Sequence, residues 1–365
     1  MPPIVTLTPN PSVDRTVRVE QLVRGSVLRA TASVVHASGK GVNVTRALAA
    51  HGRASRAVVP VGGHEGAQLS TLAAAEGIEL HPVPIAGRVR SNVSIVEPDG
   101  VVTKLNEPGP RLSEAETAAL LEAVAEHARG AAWVVACGSL PLGAPDDLYA
   151  RVAQLARAAG AQVAVDTSGP PLGLAAAAGV DLVKPNTHEL AEATGERPRT
   201  LGEAVAAAQR LRERGAATVL VSLGADGALL VDERGARHGE APVASPASTV
   251  GAGDALLAGF LAAGACGDDA LAEALAWAAA AVRLTDSAVP APADLDRGAV
   301  VLHDAPAADR PLADARAPET GTPETSTPAA RAPESSGPAA AGPAASPPGS
   351  AGRTRAGAPT REAAR

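Results

Sequence analysis

Aromatic side chains are nearly missing from this chain: Trp133, Tyr149, Phe260 and Trp277 are all that its 365 residues provide. A protein that grips unpaired bases on stacked rings has almost no platform here, and a formal charge of −7 argues against a general nucleic-acid binder. Cysteine is equally scarce. Cys137 and Cys266 are too few for a disulfide framework or a cysteine zinc site; both lie in apolar stretches that read as buried thiols, and the expected setting is a reducing cytoplasm. Nor does any stretch reach the ~18 apolar residues of a membrane span, since even ALAEALAWAAAAVRL carries Glu273 and Arg283. The opening MPPIVTLTPNPSVD lacks a basic start followed by a long apolar segment, so no secretion signal and no membrane partner are expected.

What is there is alanine, valine and leucine. With 46% hydrophobic residues the chain can fill one large domain or two modest ones. Short apolar runs recur, IVTLT, RAVVPVG, AWVVACG, QVAVDTS, VDLVKPN and TVLVSLG, separated by amphipathic segments such as SEAETAALLEAVAEHARG and LGEAVAAAQRLRERG. Several runs do not alternate, as strands covered on both faces should not, which predicts an α/β protein with a parallel sheet. Each ends in Gly, Pro, Asn, Asp or Ser, and in such sheets ligands bind beyond the carboxyl ends of the strands.

Two segments break the rhythm. Residues 14–35 and 83–105 are richer in alternating patterns, with hairpin-like turns at Arg24-Gly25 and Asp99-Gly100. They predict a small sheet over the main domain, which serves either as a lid that excludes water or as an ordinary edge hairpin. From residue 304 the composition turns to Pro, Ala, Ser, Thr and Glu, so the domain is placed at 1–303 and residues 304–365 are expected to be a disordered tail. Its Arg353, Arg355, Arg361 and Arg365 read as solvated charge, with contact to an acidic partner as the other reading.

The chemistry is concentrated in glycine turns that open helices. In STVGAGDALLAGF, residues 248–260, Gly251, Ala252 and Gly253 precede a helix expected to begin near Asp254. Bare amides at a positive helix end can bind phosphate, and the carboxylate beside them can accept a proton or merely complement the helix dipole. HASGKGVNVTRALAAHG, residues 36–52, repeats the design with Gly39 and Gly41, and places Lys40 and Asn43 at the mouth. It is not a Walker A loop, because Val34 stands where that loop needs glycine. Nor is GAGDALLAG a dinucleotide turn: Leu256 replaces the third glycine, PVASPAST before it is no buried strand, and Glu273 reads as a solvated helix charge. In LVKPNTHEL, Asn186 and Glu189 stand three apart after a buried strand, spacing that suits either hydrated magnesium beside phosphates or a capping box. His188 has no second histidine at ligand spacing.

Taken in order from about residue 4 to 290, TLTPNPSVD, GKGVNV, GRVRSN, LNEPGP, GSLP, VDTSG, VKPNTHEL, VSLGADG and STVGAGD resemble the PfkB (ribokinase-like) sugar-kinase family. The resemblance implies a three-layer, Rossmann-like, mostly parallel sheet with helices on both faces and a small β-sheet lid. It implies that Asp254 is the catalytic base and that Gly251, Ala252 and Gly253 supply anion-hole amides. Asp14, Gly39 and Asn43 would hold sugar hydroxyls; Lys40, Arg90 and Asn92, with Arg29 as a weaker candidate, would face the sugar phosphate; Ser139 would lie on the substrate side. Asn186 and Glu189 would organise Mg2+ and ATP indirectly, through water or phosphate, and Ser222, Gly224, Gly227 and Thr249 would line the nucleotide pocket. The activity implied is ATP-dependent phosphorylation of D-fructose 1-phosphate at O6, with tagatose 6-phosphate or fructose 6-phosphate as neighbouring substrates and a catalytically silent sugar-phosphate sensor as the remote alternative. Relatives pair as homodimers through the lid, so its edges here can be paired or free.

Overall fold

A computed structural model describes residues 2–313 apart from Asp99, Asp286, Ser287 and Asp304. These residues belong to one compact unit, Met1–Pro318; the unit Glu319–Arg365 and the four tail arginines lie outside the described residues.

The chain begins β1 (Ile4–Leu7), β2 (Ser12–Arg18), β3 (Ala32–Ser38), α1 (Lys40–Ala50), β4 (Ser55–Val61), α2 (Gly63–Ala75) and β5 (Glu79–Pro84). There follow β6 (Arg90–Val96), β7 (Val102–Asn106), α3 (Glu114–Ala128), β8 (Trp133–Cys137), α4 (Leu148–Ala158), β9 (Gln162–Asp166), α5 (Pro170–Ala177) and β10 (Leu182–Val183). The remainder is α6 (Thr187–Thr194), α7 (Leu201–Glu213), β11 (Thr218–Ser222), β12 (Ala228–Asp232), β13 (Gly235–Glu240), α8 (Ala252–Ala262), α9 (Gly267–Arg283) and β14 (Val301–His303). A ten-stranded sheet runs β14-β13-β12-β11-β10-β9-β8-β1-β4-β5, and a four-stranded sheet runs β3-β2-β6-β7. Pairing from β11 through to β5 is parallel; β11, β12, β13 and β14 pair antiparallel at one edge.

Along β8, Val134 and Ala136 enter one core while Trp133, Val135 and Cys137 enter the other. In β11, Val219 and Val221 face the first and Leu220 the second. Apolar residues fill both faces of these strands, which is why the runs do not alternate. One core receives α3, α4, α5 and α7, and the opposite one α1, α8 and α9. With so few rings to fill space, helices approach closely: a Cβ on Gly259 of α8 would stand 2.9 Å from Trp277 Cγ and 3.0 Å from Ala274 Cα on α9.

The sheet order reverses between β1 and β8, one leading to β4 and the other to β9, and the crevice beyond such a switch is where this architecture binds ligands. Asn10 after β1 and Ser139 after β8 meet there, Asn10 Nδ2 donating to Ser139 Oγ at 3.3 Å.

Four expectations need correction. The small sheet exists, but its strands are Ser12–Arg18, Ala32–Ser38, Arg90–Val96 and Val102–Asn106; Val83 and Pro84 belong to β5, the edge strand of the main sheet, which is partly exposed as a lid strand would be. The turn at Gly25 sits within a long connection between β2 and β3 rather than in a tight hairpin, and Asp99 is outside the described residues. Cys266 is exposed, because it is the N-cap of α9 in the turn from α8, where apolar sequence neighbours do not imply burial. The domain also passes residue 303: Leu312 is buried, Pro311 bridges to Thr200, and Leu201 N donates to Arg310 O at 2.9 Å. One leucine in a stretch of alanine, proline and a few charges was too small a signal to extend the core.

Candidate active site

Three helix starts and the ends of two strands converge on one cluster of charges. Gly39 and Gly41 let α1 begin against the end of β1: a Cβ on Gly41 would stand 2.5 Å from Thr8 Oγ1, and one on Gly39 2.7 Å from Thr8 Cγ2. This close approach sends Lys40 Nζ to Asp166 Oδ1 at 2.7 Å and Glu189 Oε1 at 3.2 Å. One turn further along α1, Asn43 Nδ2 donates to Asp254 Oδ2 at 2.8 Å. Pro185 follows β10, and Lys184 before it reaches Asp166 Oδ2 at 3.0 Å as an ion pair.

Asp166, Asp254, Lys184 and Glu189 are all buried, so their charges act at close range in a low dielectric. Burial alone would lower the Lys40 ammonium, but Asp166 and Glu189 override it and hold it above its ordinary value. Asp166 is held below the usual carboxylate range because Lys184 and Lys40 outweigh its desolvation. Asp254 goes the other way: burial, reinforced by Asp166, pushes it from 3.8 up to about 6, against the pull of Lys40 and its bond from Asn43.

The α8 start is open. Gly251, at φ 79°, is the N-cap, no side chain caps the helix, and a Cβ there would meet nothing within 4 Å. The helix begins at Ala252, two residues before the expected start, so Ala252, Gly253 and Asp254 carry first-turn amides without intrahelical acceptors. A Cβ on Gly253 would lie 3.4 Å from Lys184 Nζ, which places that ammonium over the same turn. An amide nest, a cation and a carboxylate poised near neutrality can bind a phosphoryl group and accept a proton beside it.

Asn186 and Glu189 form the capping box allowed by their spacing: Asn186 Oδ1 accepts Glu189 N at 2.8 Å and Glu189 Oε2 accepts Asn186 N at 2.9 Å. Glu189 Oε1 is the oxygen that meets Lys40. Around it, Asp166, Glu189 and Asp254 face Lys40 and Lys184, a formal excess of one negative charge, and Asn43 Oδ1 is buried without a hydrogen-bond partner among the described residues. This set of hard oxygens fits a hydrated Mg2+, which favours one or two carboxylates together with water and phosphate oxygens.

A second polar cluster lies where the lid meets the main sheet. In register, Asp14 pairs with Asn92 and Ser12 with Arg90. Asp14 Oδ1 accepts Ser12 Oγ at 2.6 Å and Asn92 Nδ2 at 2.9 Å. Arg90 donates to the carbonyls of Asn10 and Glu107, each at 3.2 Å. Among the described residues Arg90 Nε, Asn92 Oδ1 and Asn10 Oδ1 are buried without partners, as polar atoms awaiting a ligand would be. A hollow of about 280 Å3 opens here, lined by Arg88, Arg90 and residues 107–110. The two clusters adjoin through the chain: Ser12 pairs with Ser38, which precedes Gly39 and the helix of Lys40 and Asn43.

Two expected placements change. Lys40 does not join Arg90 and Asn92; its ammonium is committed to Asp166 and Glu189. Arg29 is exposed on the connection from β2 to β3, outside both networks. Of the residues expected on the nucleotide side, Ser222 N donates to Pro185 O at 3.0 Å and Thr249 O accepts Ala252 N at 3.4 Å. Gly224 faces open space at φ 60°, whereas Gly227, at φ 84°, is packed against Gly239 and Glu240 of β13. The sequence reading assigned no role to Asp166, Lys184, Asn10, Ser12, Arg88 or Glu107. Asp166 and Lys184 lie in VDTSG and VKPN at carboxyl ends of strands, and that position was the available signal.

The pfkB family carbohydrate kinase pattern matches residues 8–294. The chain belongs to that family. It is 43% identical over 270 residues to the 1-phosphofructokinase of Rhodobacter capsulatus, covering 73% of this chain and 85% of that protein. It is 37% identical over 259 residues to the ATP-dependent 6-phosphofructokinase isozyme 2 of Mycobacterium tuberculosis, covering 70% and 76%. Among solved structures, phosphofructokinase-2 of Escherichia coli in complex with potassium superposes with a TM-score of 0.76 at 34% identity, covering 80% of this chain and 97% of that one. The two-sheet architecture is therefore that of a known group of sugar-phosphate kinases, with both clusters inside the matched region.

Proposed function

We propose that this kinase transfers the γ-phosphoryl group of ATP to O6 of D-fructose 1-phosphate, giving fructose 1,6-bisphosphate and ADP. The carrying observation is Asp254 on an uncapped helix start, with its carboxyl raised to about 6. In this reading the sugar lies over Asp14, Asn92 and Ser139, with its phosphate at Arg90, whose Nε has no partner among the described residues; the neighbouring Arg88 is paired with Glu65 and Glu107 at the rim of the same hollow. Bidentate guanidinium contacts suit a phosphate better than they suit a neutral sugar.

As the sugar oxygen bonds to phosphorus, its proton becomes acidic and passes to Asp254; the bond from phosphorus to the β–γ bridging oxygen breaks, and ADP leaves. The amides of Ala252 and Gly253 and the Lys184 ammonium stabilise the charge spread over the moving phosphoryl oxygens. Lys40 acts from the same side, linking Asp166 to Glu189. Magnesium, held through water and phosphate by Glu189, Asn186 and Asp166, would neutralise β- and γ-phosphate charge when bound. Ser222, Gly224, Gly227 and Thr249 form the nucleotide side.

The lid gives a second expectation. Val34, Val102 and Leu105, on its outer strands, are exposed, which supports pairing of two copies through the lid edges. The cytoplasm is the setting that suits this substrate and the reduced, unpaired cysteines.

The test is ADP release by purified protein with fructose 1-phosphate, fructose 6-phosphate and tagatose 6-phosphate in parallel, with Asp254→Ala alongside. Preference for fructose 1-phosphate, lost in the variant, supports the assignment. Preference for another sugar phosphate moves the enzyme to a neighbouring branch, and activity that survives in the variant removes Asp254 from the chemistry.

A further inference from the structure

Residues 307–313 form a strap that lies beyond the region matched by the family and makes its contacts behind the nucleotide side of the proposed site. The strap is fixed to the start of α7 by three backbone bonds at 2.9 Å: Leu201 N to Arg310 O, Gly202 N to Ala308 O, and Leu312 N to Arg199 O. Leu312 is buried beside them. A side chain at position 202 would not fit, since its Cβ would stand 2.9 Å from Ala308 O and 3.0 Å from Ala308 Cβ.

From this anchored strap, Arg310 Nη2 reaches Asp226 Oδ1 at 3.3 Å and also donates to Glu240. Ala313 N donates to Asp226 Oδ2 at 2.5 Å, and the Asp226 carbonyl bonds His238 Nε2 at 2.7 Å. Asp226 belongs to the one-turn helix Gly224–Asp226, whose bonds are Asp226 N to Leu223 O at 3.1 Å and Leu223 N to Gly227 O at 2.8 Å. Both carboxylate oxygens and the carbonyl of Asp226 are thus held from behind, leaving Gly224 facing open space. His238, Glu240 and His303 stand close enough to share a metal ion. Glu240 and Asp226 already accept Arg310, however, and its guanidinium is the cation this cluster holds.

We propose that Arg310 is a positioning residue for nucleotide binding: through Asp226 it fixes the Gly224–Gly227 turn in the shape that receives ATP, so the strap sets nucleotide affinity without touching the sugar. This rests on the reading above that the turn lines the nucleotide pocket. A turn that must be reordered on binding loses affinity by the cost of ordering it.

Binding of Mg-ADP is measured by calorimetry for the full chain and for Arg310→Met, Arg310→Lys and Gly202→Ala, with Arg297→Met as a surface control; KM for ATP, KM for fructose 1-phosphate and kcat are measured alongside. Loss of a partly exposed, charge-assisted contact predicts a rise of about five- to thirtyfold in the ADP Kd and the ATP KM for Arg310→Met. Arg310→Lys should recover part of it, and Gly202→Ala should move both constants in the same direction. The sugar-phosphate KM and kcat at saturating ATP should hold. A folded Arg310→Met that binds ADP like the parent overturns the proposal and leaves the kinase reading intact, as does a uniform fall in all constants that follows thermal stability. A parent chain that uses the sugar phosphate but gains no ADP affinity from this turn, shown by unchanged binding in Gly224→Ala, overturns both the turn assignment and the proposal.

Discussion

Replacing Asp254 by asparagine should slow the reaction by orders of magnitude and make the protein more stable at neutral pH. The carboxyl is buried, and its folded pKa is about 6 against an ordinary value of 3.8. Its ionised form is therefore less at home in the folded chain than in the unfolded one. About two pKa units correspond to roughly 3 kcal/mol at pH 7. Asparagine keeps the shape and removes the charge but adds an amide that the Asn43 donor cannot satisfy equally, so about 1–3 kcal/mol should remain. The sign follows from proton binding: between pH 3.8 and 6 the folded state holds more protons at this site than the unfolded state, so the parent gains stability from this group as pH falls through that window. The advantage of Asp254→Asn should thus be present at pH 7.5 and shrink steadily toward pH 4. Urea titrations of both proteins at these pH values measure it, with kcat expected to fall by about 10²- to 10⁴-fold. An equal stability difference at every pH, or a less stable variant at pH 7.5, would refute the desolvated-carboxylate account whatever happens to activity.

Two further outcomes test the surrounding geometry. Lys184→Met should lower kcat far more than it raises KM for the sugar phosphate, because the ammonium stands over the α8 start and not in the Arg90 cluster; it should also destabilise the fold by roughly 3 kcal/mol, since Asp166 loses the buried one of its two ammonium partners. Steady-state kinetics with thermal denaturation separates the two effects. In the turn, Gly227→Ala should cost stability first, as its Cβ would crowd Gly239 and Glu240, whereas Gly224→Ala, in open space at φ 60°, should cost only about 1–2 kcal/mol and act mainly on the KM for ATP. Equal stability losses in the two alanine variants would remove the distinction between a packed glycine and a ligand-facing one.

The central sheet was legible because its signal is local. A strand covered on both faces must be apolar at successive positions, and IVTLT, AWVVACG and TVLVSLG meet that condition without help from distant residues. The antiparallel edge was harder. GARHGE of β13 carries glycine, arginine and histidine, is stabilised by its pairing with β12 and β14, and offers no run to recognise. The strap was invisible for a related reason, since its order comes from backbone bonds to residues 199–202 and one buried leucine.

The same distinction between local and distant causes governs the site. That Gly251, Ala252 and Gly253 open a helix before an acid can be read from the letters, and so can the spacing of Asn186 and Glu189. What Lys40 touches cannot. Its sequence neighbours are glycines, which suit a phosphate as well as any other anion, and only the fold places Asp166, from a strand 126 residues away, at 2.7 Å. Once that pair exists, Lys40 is a fixed positive charge inside the cluster and no longer a free arm for the sugar phosphate. In the proposed reading the task of gripping a charged sugar then falls to Arg90, which belongs to the other network and whose buried Nε has no partner among the described residues. In the same proposed reading, substrate charge and transferred charge are handled by different cations, Arg90 for the first and Lys40 with Lys184 for the second. On that reading, changes in the Arg90 network should alter which sugar phosphate is accepted without disturbing the ion pairs around Asp166.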